Sequence, residues 1–95
     1  MSYAWLRITS SQVVSKVSVL VGSVIVTPDA SNTNADVTLY DGESTSDPQI
    51  ITVRSGSGIT DQVIMSPPLL CQRGLYVAVG SNVEECLVQY EPQKI

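Results

Sequence analysis

Turn-forming residues interrupt this chain about every 8–12 positions, the spacing of a sandwich or small barrel rather than of helices. Pro28-Asp29, Asp41-Gly42, Gly56-Ser57-Gly58, Pro67-Pro68, Gly74 and Gly80 supply the breaks. The runs between them are rich in valine, isoleucine and threonine. Side chains branched at Cβ lose rotamer freedom in a helix but stand well on a pleated sheet. Several runs also alternate. Val37 and Leu39 fall on one side and Thr38 and Tyr40 on the other, Ile51 shares a side with Val53, and Leu75, Val77 and Val79 share another. The expected fold is all-β: a single antiparallel β-sandwich, immunoglobulin-like or jelly-roll-like, of about seven to eight short strands. Alternation does not encode strand order, so both connectivities remain open.

The stretch "QVVSKVSVLVG" also fits part of a helix template, through Val13, Val14, Val17, Leu20, Val21 and Val24. Its valines and Gly22 argue for a strand, bulged or bent at Gly22-Ser23, continuing through "VIVTP" and stopped by Pro28. "QVIM" reads as a short strand ended by Pro67-Pro68, and "GLYVAVG" with "CLVQYEP" as a hairpin around Ser81 to Glu85. The organisation expected is an N-terminal arm or first strand over 1–9, a sandwich over 10–91 and a short tail over 92–95. No internal repeat or domain boundary is visible.

A chain of 95 residues suits one domain. At this size only about 60–65% of the unfolded surface is buried, so oligomerisation or docking on a larger body is a natural supplement. In the expected hairpin Cys86 lies near Val79 and Cys71 lies beyond Leu75. That separation is too long for a disulfide and leaves two reduced, buried thiols of the cytosolic kind. "MSYAWLRITSS" has neither the cationic start nor the apolar block of a signal peptide. The most apolar segment, Val13 to Val26, is 14 residues long and interrupted by Lys16. A bilayer span needs about 20 apolar residues, so the segment reads as core.

The net charge is −4, and the basic residues Arg7, Lys16, Arg54, Arg73 and Lys94 are scattered. Neutralising backbone phosphates takes several clustered cations, so nucleic acid is not an expected partner, and without a basic amphipathic face neither is a membrane surface. Histidine is absent, which removes Ser-His and Cys-His nucleophiles and imidazole acid–base catalysis. Two cysteines cannot close a four-ligand zinc site. The expectation is a protein that is not an enzyme, with no catalytic residue, metal or cofactor. Asp41, Glu43 and Asp47 could gather around calcium, but their spacing is not that of an EF-hand, and turn geometry with solubility is the simpler role. Tyr40, Tyr76 and Tyr90 fall on outward parities or strand ends, where rings roof a sheet or stack on sugars. Tyr3 and Trp5 stand near a terminus, and a ring as large as that of Trp5 must be covered by the domain or by a neighbouring subunit.

"VTLYDGESTSDPQIITV" and "PPLLCQRGLYVAVGSNVEECLVQYEP" resemble a set of small phage virion proteins. Those carry a v-t-L-Y-D-G strand and turn, a short Ser/Thr-rich loop, an i-x-x-i strand, a later segment ending in G-L-Y-V and a final v-x-Y strand. The matching pieces are Val37 to Gly42, Ile50 to Val53, Gly74 to Val77 and Val88 to Tyr90. "SSQVVSKVSVLVGSVIVTP" is similar to their opening valine-rich strand, so the likeness spans most of 10–91. The resemblance implies a head decoration (cement) protein or another virion component, such as a tail, collar or connector piece. It would bind the major capsid protein or neighbouring virion proteins as a homo-oligomer, a trimer by preference, and be assembled in the host cytoplasm. On that reading Trp5 and Leu6, with Tyr3, are apolar anchors for the partner. A glycan- or receptor-binding sandwich is the alternative.

Overall fold

The computed structural model describes residues 4–29, 34–56 and 58–92. Its strands are β1 (Ala4–Ile8), β2 (Gln12–Ser15), β3 (Val19–Pro28), β4 (Ala35–Tyr40), β5 (Gln49–Ser55), β6 (Asp61–Cys71), β7 (Leu75–Val79) and β8 (Val83–Pro92). They form two four-stranded sheets, sheet I in the order β1-β8-β3-β6 and sheet II in the order β2-β7-β4-β5. All pairings are antiparallel. The all-β sandwich read from the sequence is the fold.

The pairings are nested. β4 pairs with β5, β3 with β6, β2 with β7 and β1 with β8. The chain is thus one long hairpin centred on the 41–48 loop, wrapped so that successive pairs fall alternately into sheet II and sheet I. That wiring is a jelly roll and decides between the two connectivities left open by alternation.

Inward positions of both sheets meet in a valine-dominated core that includes Ile8, Val24, Val26, Val37, Leu39, Leu75, Val77 and Val88, all fully buried. The molecule is 18 Å through its short axis, which fits two sheets about 10 Å apart with their outer side chains. Residues 4–8 form a strand of this core rather than a free arm, because Ile8 is buried opposite Cys86.

Four local expectations are corrected. Residues 12–28 form two strands in different sheets. The Ser15 hydroxyl donates to the Val17 carbonyl at 2.8 Å and accepts from the Val17 amide at 3.1 Å. Such a side-chain turn competes with the ladder and redirects the chain from sheet II to sheet I. Secondly, β6 runs through Pro67 and Pro68. It is an edge strand, and Val21 faces Leu69 while Ser23 faces Ile64, so Met65 to Pro68 bulge opposite Gly22. Proline is tolerated where no ladder donor is needed. The break at Gly22-Ser23 is the expected bulge.

Thirdly, β7 and β8 lie in opposite sheets and do not form a hairpin. Asn82, at φ 67°, turns the chain across the sandwich edge, and its carbonyl accepts from the Asp29 amide at 2.8 Å. The thiols are nevertheless free and buried. Cys71 faces Val19 at the start of β3 and Cys86 faces Val26 toward its end, about 23 Å apart at strand rise. Finally, Tyr90 does not roof the sheet; opposite the buried Val21, it packs against the core.

Candidate functional site

Every inward side chain of sheet I has outward neighbours, and directly opposed residues of an antiparallel pair share a face. On the outer face one row reads Trp5, Gln89, Ser23, Ile64 across β1, β8, β3 and β6. The next row reads Arg7, Leu87, Ile25, Gln62. On the other side Glu91, Leu20 and Leu70 line up. Trp5 and Ile64 are each 68% exposed and Leu70 is 48% exposed, while Leu20, Ile25 and Leu87 are half-buried. A soluble sheet normally presents polar side chains outward, and apolar side chains gathered on one face mark an interaction surface.

The face is not flat. Gly22 has no side chain, and the bulge of β6 opens beside it. The result is a shallow hole of about 390 Å³ walled by Ile64, Met65 and Pro68 and floored by Gly22, Ser23 and Gln89. Its polar floor is internally satisfied, the Ser23 hydroxyl donating to Gln89 Oε1 at 2.6 Å. Trp5 stands at the opposite edge of the same row. The charges lie at the margins: Arg7 and Glu85 form an exposed ion pair at 2.9 Å, and Glu91 lies toward the far end.

Of the anchors suggested by the sequence, Trp5 stands on this face. Leu6 points the other way and packs against the chain's own core. Tyr3 lies outside the described residues. Sequence reading missed Ile64 and Leu70, which with Trp5 make the face apolar. The available signal was "VIM" and "LL", apolar on both parities of an edge strand.

The outer face of sheet II is different in kind. Tyr40 and Tyr76 are cross-strand partners with ring centroids 6.2 Å apart, tilted at 57°. Beside them the Thr38 and Thr52 hydroxyls are 3.1 Å apart, and Gln49 donates to Thr52 at 3.3 Å. A polar cleft of about 410 Å³ at its edge is lined by Asp36 and Arg54, themselves cross-strand partners, with Asn34 and Ser81.

The acidic loop between β4 and β5 is built for turn geometry. Asp47 Oδ2 accepts from the Glu43 and Ser44 amides at 2.8 and 3.2 Å, and Asp41 Oδ1 accepts from the Arg73 amide at 2.9 Å. The Asp47 side chain lies directly over Gly42, in the space a Cβ would take. These carboxylates are therefore committed to backbone donors, and among the described residues no three potential metal ligands gather. Asp47→Ala is expected to cost about 1 kcal/mol, as loss of a helix N-cap does, and to lower Tm by about 4–8 °C. Glu43→Ala should move Tm by less than about 2 °C in the same scanning calorimetry. Equal effects would contradict this division of roles.

The chain matches no protein-family profile, no curated protein and no solved structure.

Proposed function

We infer that the chain is a structural component of a phage particle, a head decoration (cement) protein. It binds the major capsid protein or neighbouring virion proteins, works as a homo-oligomer in the virion and catalyses nothing. The observation that carries this reading is the apolar outer face of sheet I, which gathers Trp5, Ile64 and Leu70 on one surface, whereas the other exposed large apolar side chains, Val17 and Ile59, stand in connections between strands. Support also comes from the motifs that make the resemblance, which coincide with ordered elements. Val37 to Gly42 is most of β4 and its turn, Ile50 to Val53 lies in β5, Gly74 to Val77 opens β7, and Val88 to Tyr90 lies in β8. The fold is one used by capsid and lectin domains, so it is compatible with the reading without deciding it.

A second reading, glycan or receptor binding, is favoured by the Tyr40–Tyr76 pair on the hydroxyl-rich face of sheet II. One experiment with two arms separates them. The protein is sedimented with empty shells of the major capsid protein encoded in the same genome, and it is applied to a glycan array. Co-sedimentation that saturates and is lost with Ile64→Glu supports the virion reading. An array signal lost with Tyr40→Ala or Tyr76→Ala, without shell binding, overturns it.

A further inference from the structure

The geometry points to a self-pairing surface: the outer face of sheet I packs on the same face of a second copy, each Trp5 entering the hole beside Ile64 of the other. This rests on the reading of that face as an assembly surface and names its partner. The strand register supplies the argument. Trp5, Gln89, Ser23 and Ile64 form one row across β1-β8-β3-β6, with a projecting ring at one end and a hole at the other. A two-fold axis running along the strands between β8 and β3 exchanges β1 with β6 and β8 with β3. It therefore sets Trp5 of each copy over Ile64 of the other and makes the same contact twice. That is the self-complementarity an isologous interface requires.

The remaining positions obey the same operation. Along the next row Leu87 lies over Ile25 of the second copy, apolar on apolar, and Gln89 lies over Ser23. The chain's net charge of −4 does not oppose the contact. Asp36, Asp41, Glu43 and Asp47 belong to β4 and its loop in sheet II. On the pairing face Glu85 is held by Arg7, and Glu91, near the end of β8, is the one acid that the operation sets over an apolar side chain, Leu20. The area is sufficient. Four strands about 4.8 Å apart, the longest of 10 and 11 residues, offer about 600 Å² per copy. The total of about 1,200 Å² lies at the lower end of specific interfaces. A chain of this size, with a thin core of its own, gains from covering that face.

The test is sedimentation equilibrium of the full chain from about 1 µM to about 1 mM. The wild type is expected to reach a mass of two chains, not the three that the resemblance implies. Trp5→Ala removes the ring and Ile64→Glu puts a charge in the hole; each should weaken pairing at least about tenfold. Both residues are exposed, so the far-UV spectrum should stay as in the wild type, and Tm should match the wild type at concentrations where the latter is monomeric. Val17→Lys, at an exposed position off this face, should pair as wild type does. A wild type that stays monomeric or trimerises, or a Trp5→Ala or Ile64→Glu variant that pairs as the wild type does, would overturn the pairing. Shell binding separates this from the functional reading. A monomer that binds shells ends the pairing and leaves the virion role, while a pair that ignores shells does the reverse.

Discussion

Gly74→Ala is expected to lower the melting temperature by about 10–20 °C, a loss of about 2–4 kcal/mol for a domain of this size. Two causes combine. Gly74 sits at φ +129°, a backbone region that side chains rarely adopt. A Cβ placed there would also stand 2.4 Å from the Ser15 carbonyl oxygen and 3.3 Å from that of Gly42. These are backbone atoms at the end of β2 and in the β4–β5 turn, so neither can swing aside as a side chain would. The preceding amide, that of Arg73, donates to Asp41, which ties the turn before β7 to the β4–β5 loop. Relief of the clash must therefore move the β2 edge or open the acidic loop. Gly58→Ala is the control, because Gly58 has φ +70° but nothing within 4 Å of a Cβ. It should cost only the dihedral term, about 1 kcal/mol. Thermal and urea unfolding of both variants checks the pair, and a Gly74→Ala chain no less stable than Gly58→Ala would refute the steric account.

The sequence was most legible where each residue's fate depended on its immediate neighbours. Val37, Leu39, Leu75 and Val77 alternate with outward residues and are buried as that alternation demands. The bulge at Gly22-Ser23 was legible because glycine inside a strand removes both a side chain and a restraint. Sheet membership was not legible. Whether Gln12–Ser15 continues into Val19–Pro28 is settled by one hydroxyl, that of Ser15, which captures the backbone two residues on. Whether β7 and β8 pair with each other is settled by β3 and β1, distant strands that both claim β8. No local pattern records that competition.

The candidate site divides the same way. Trp5 could be picked out as a large ring near a terminus that needed a cover. The hole opposite it could not, because it consists of the missing side chain of Gly22 and the excursion of β6, brought together by the pairing of β3 with β6. The acidic loop was legible as a turn, yet which carboxylate holds it was not. Asp47 does so only because the chain curls back over Gly42.

Raising the pH from 9 to 12 is expected to remove on the order of 5 kcal/mol of folding stability through the two thiols. Burial pushes the Cys86 thiol up to about 12. Burial, reinforced by the nearby Asp41 carboxylate, pushes Cys71 up to about 11. In the unfolded chain both titrate near 9.0. Below that value both states keep the protons and stability is flat with respect to these groups. Above it the unfolded state gives them up while the folded state retains them, so the unfolded state binds fewer protons and stability falls as pH rises. The decline runs until pH 11 for Cys71 and pH 12 for Cys86. Total stability for a domain of this kind is about 5–15 kcal/mol, so alkaline unfolding is expected within that window. Urea titrations under reducing conditions at stepped pH provide the measurement. The Cys71→Ala/Cys86→Ala chain should start less stable at pH 7, from the lost packing, but decline less steeply above pH 9. Parallel profiles for the two chains would show that other groups drive the alkaline transition. Native thiols that react with a disulfide reagent as fast as a free cysteine would show that Cys71 and Cys86 are not sealed in the core.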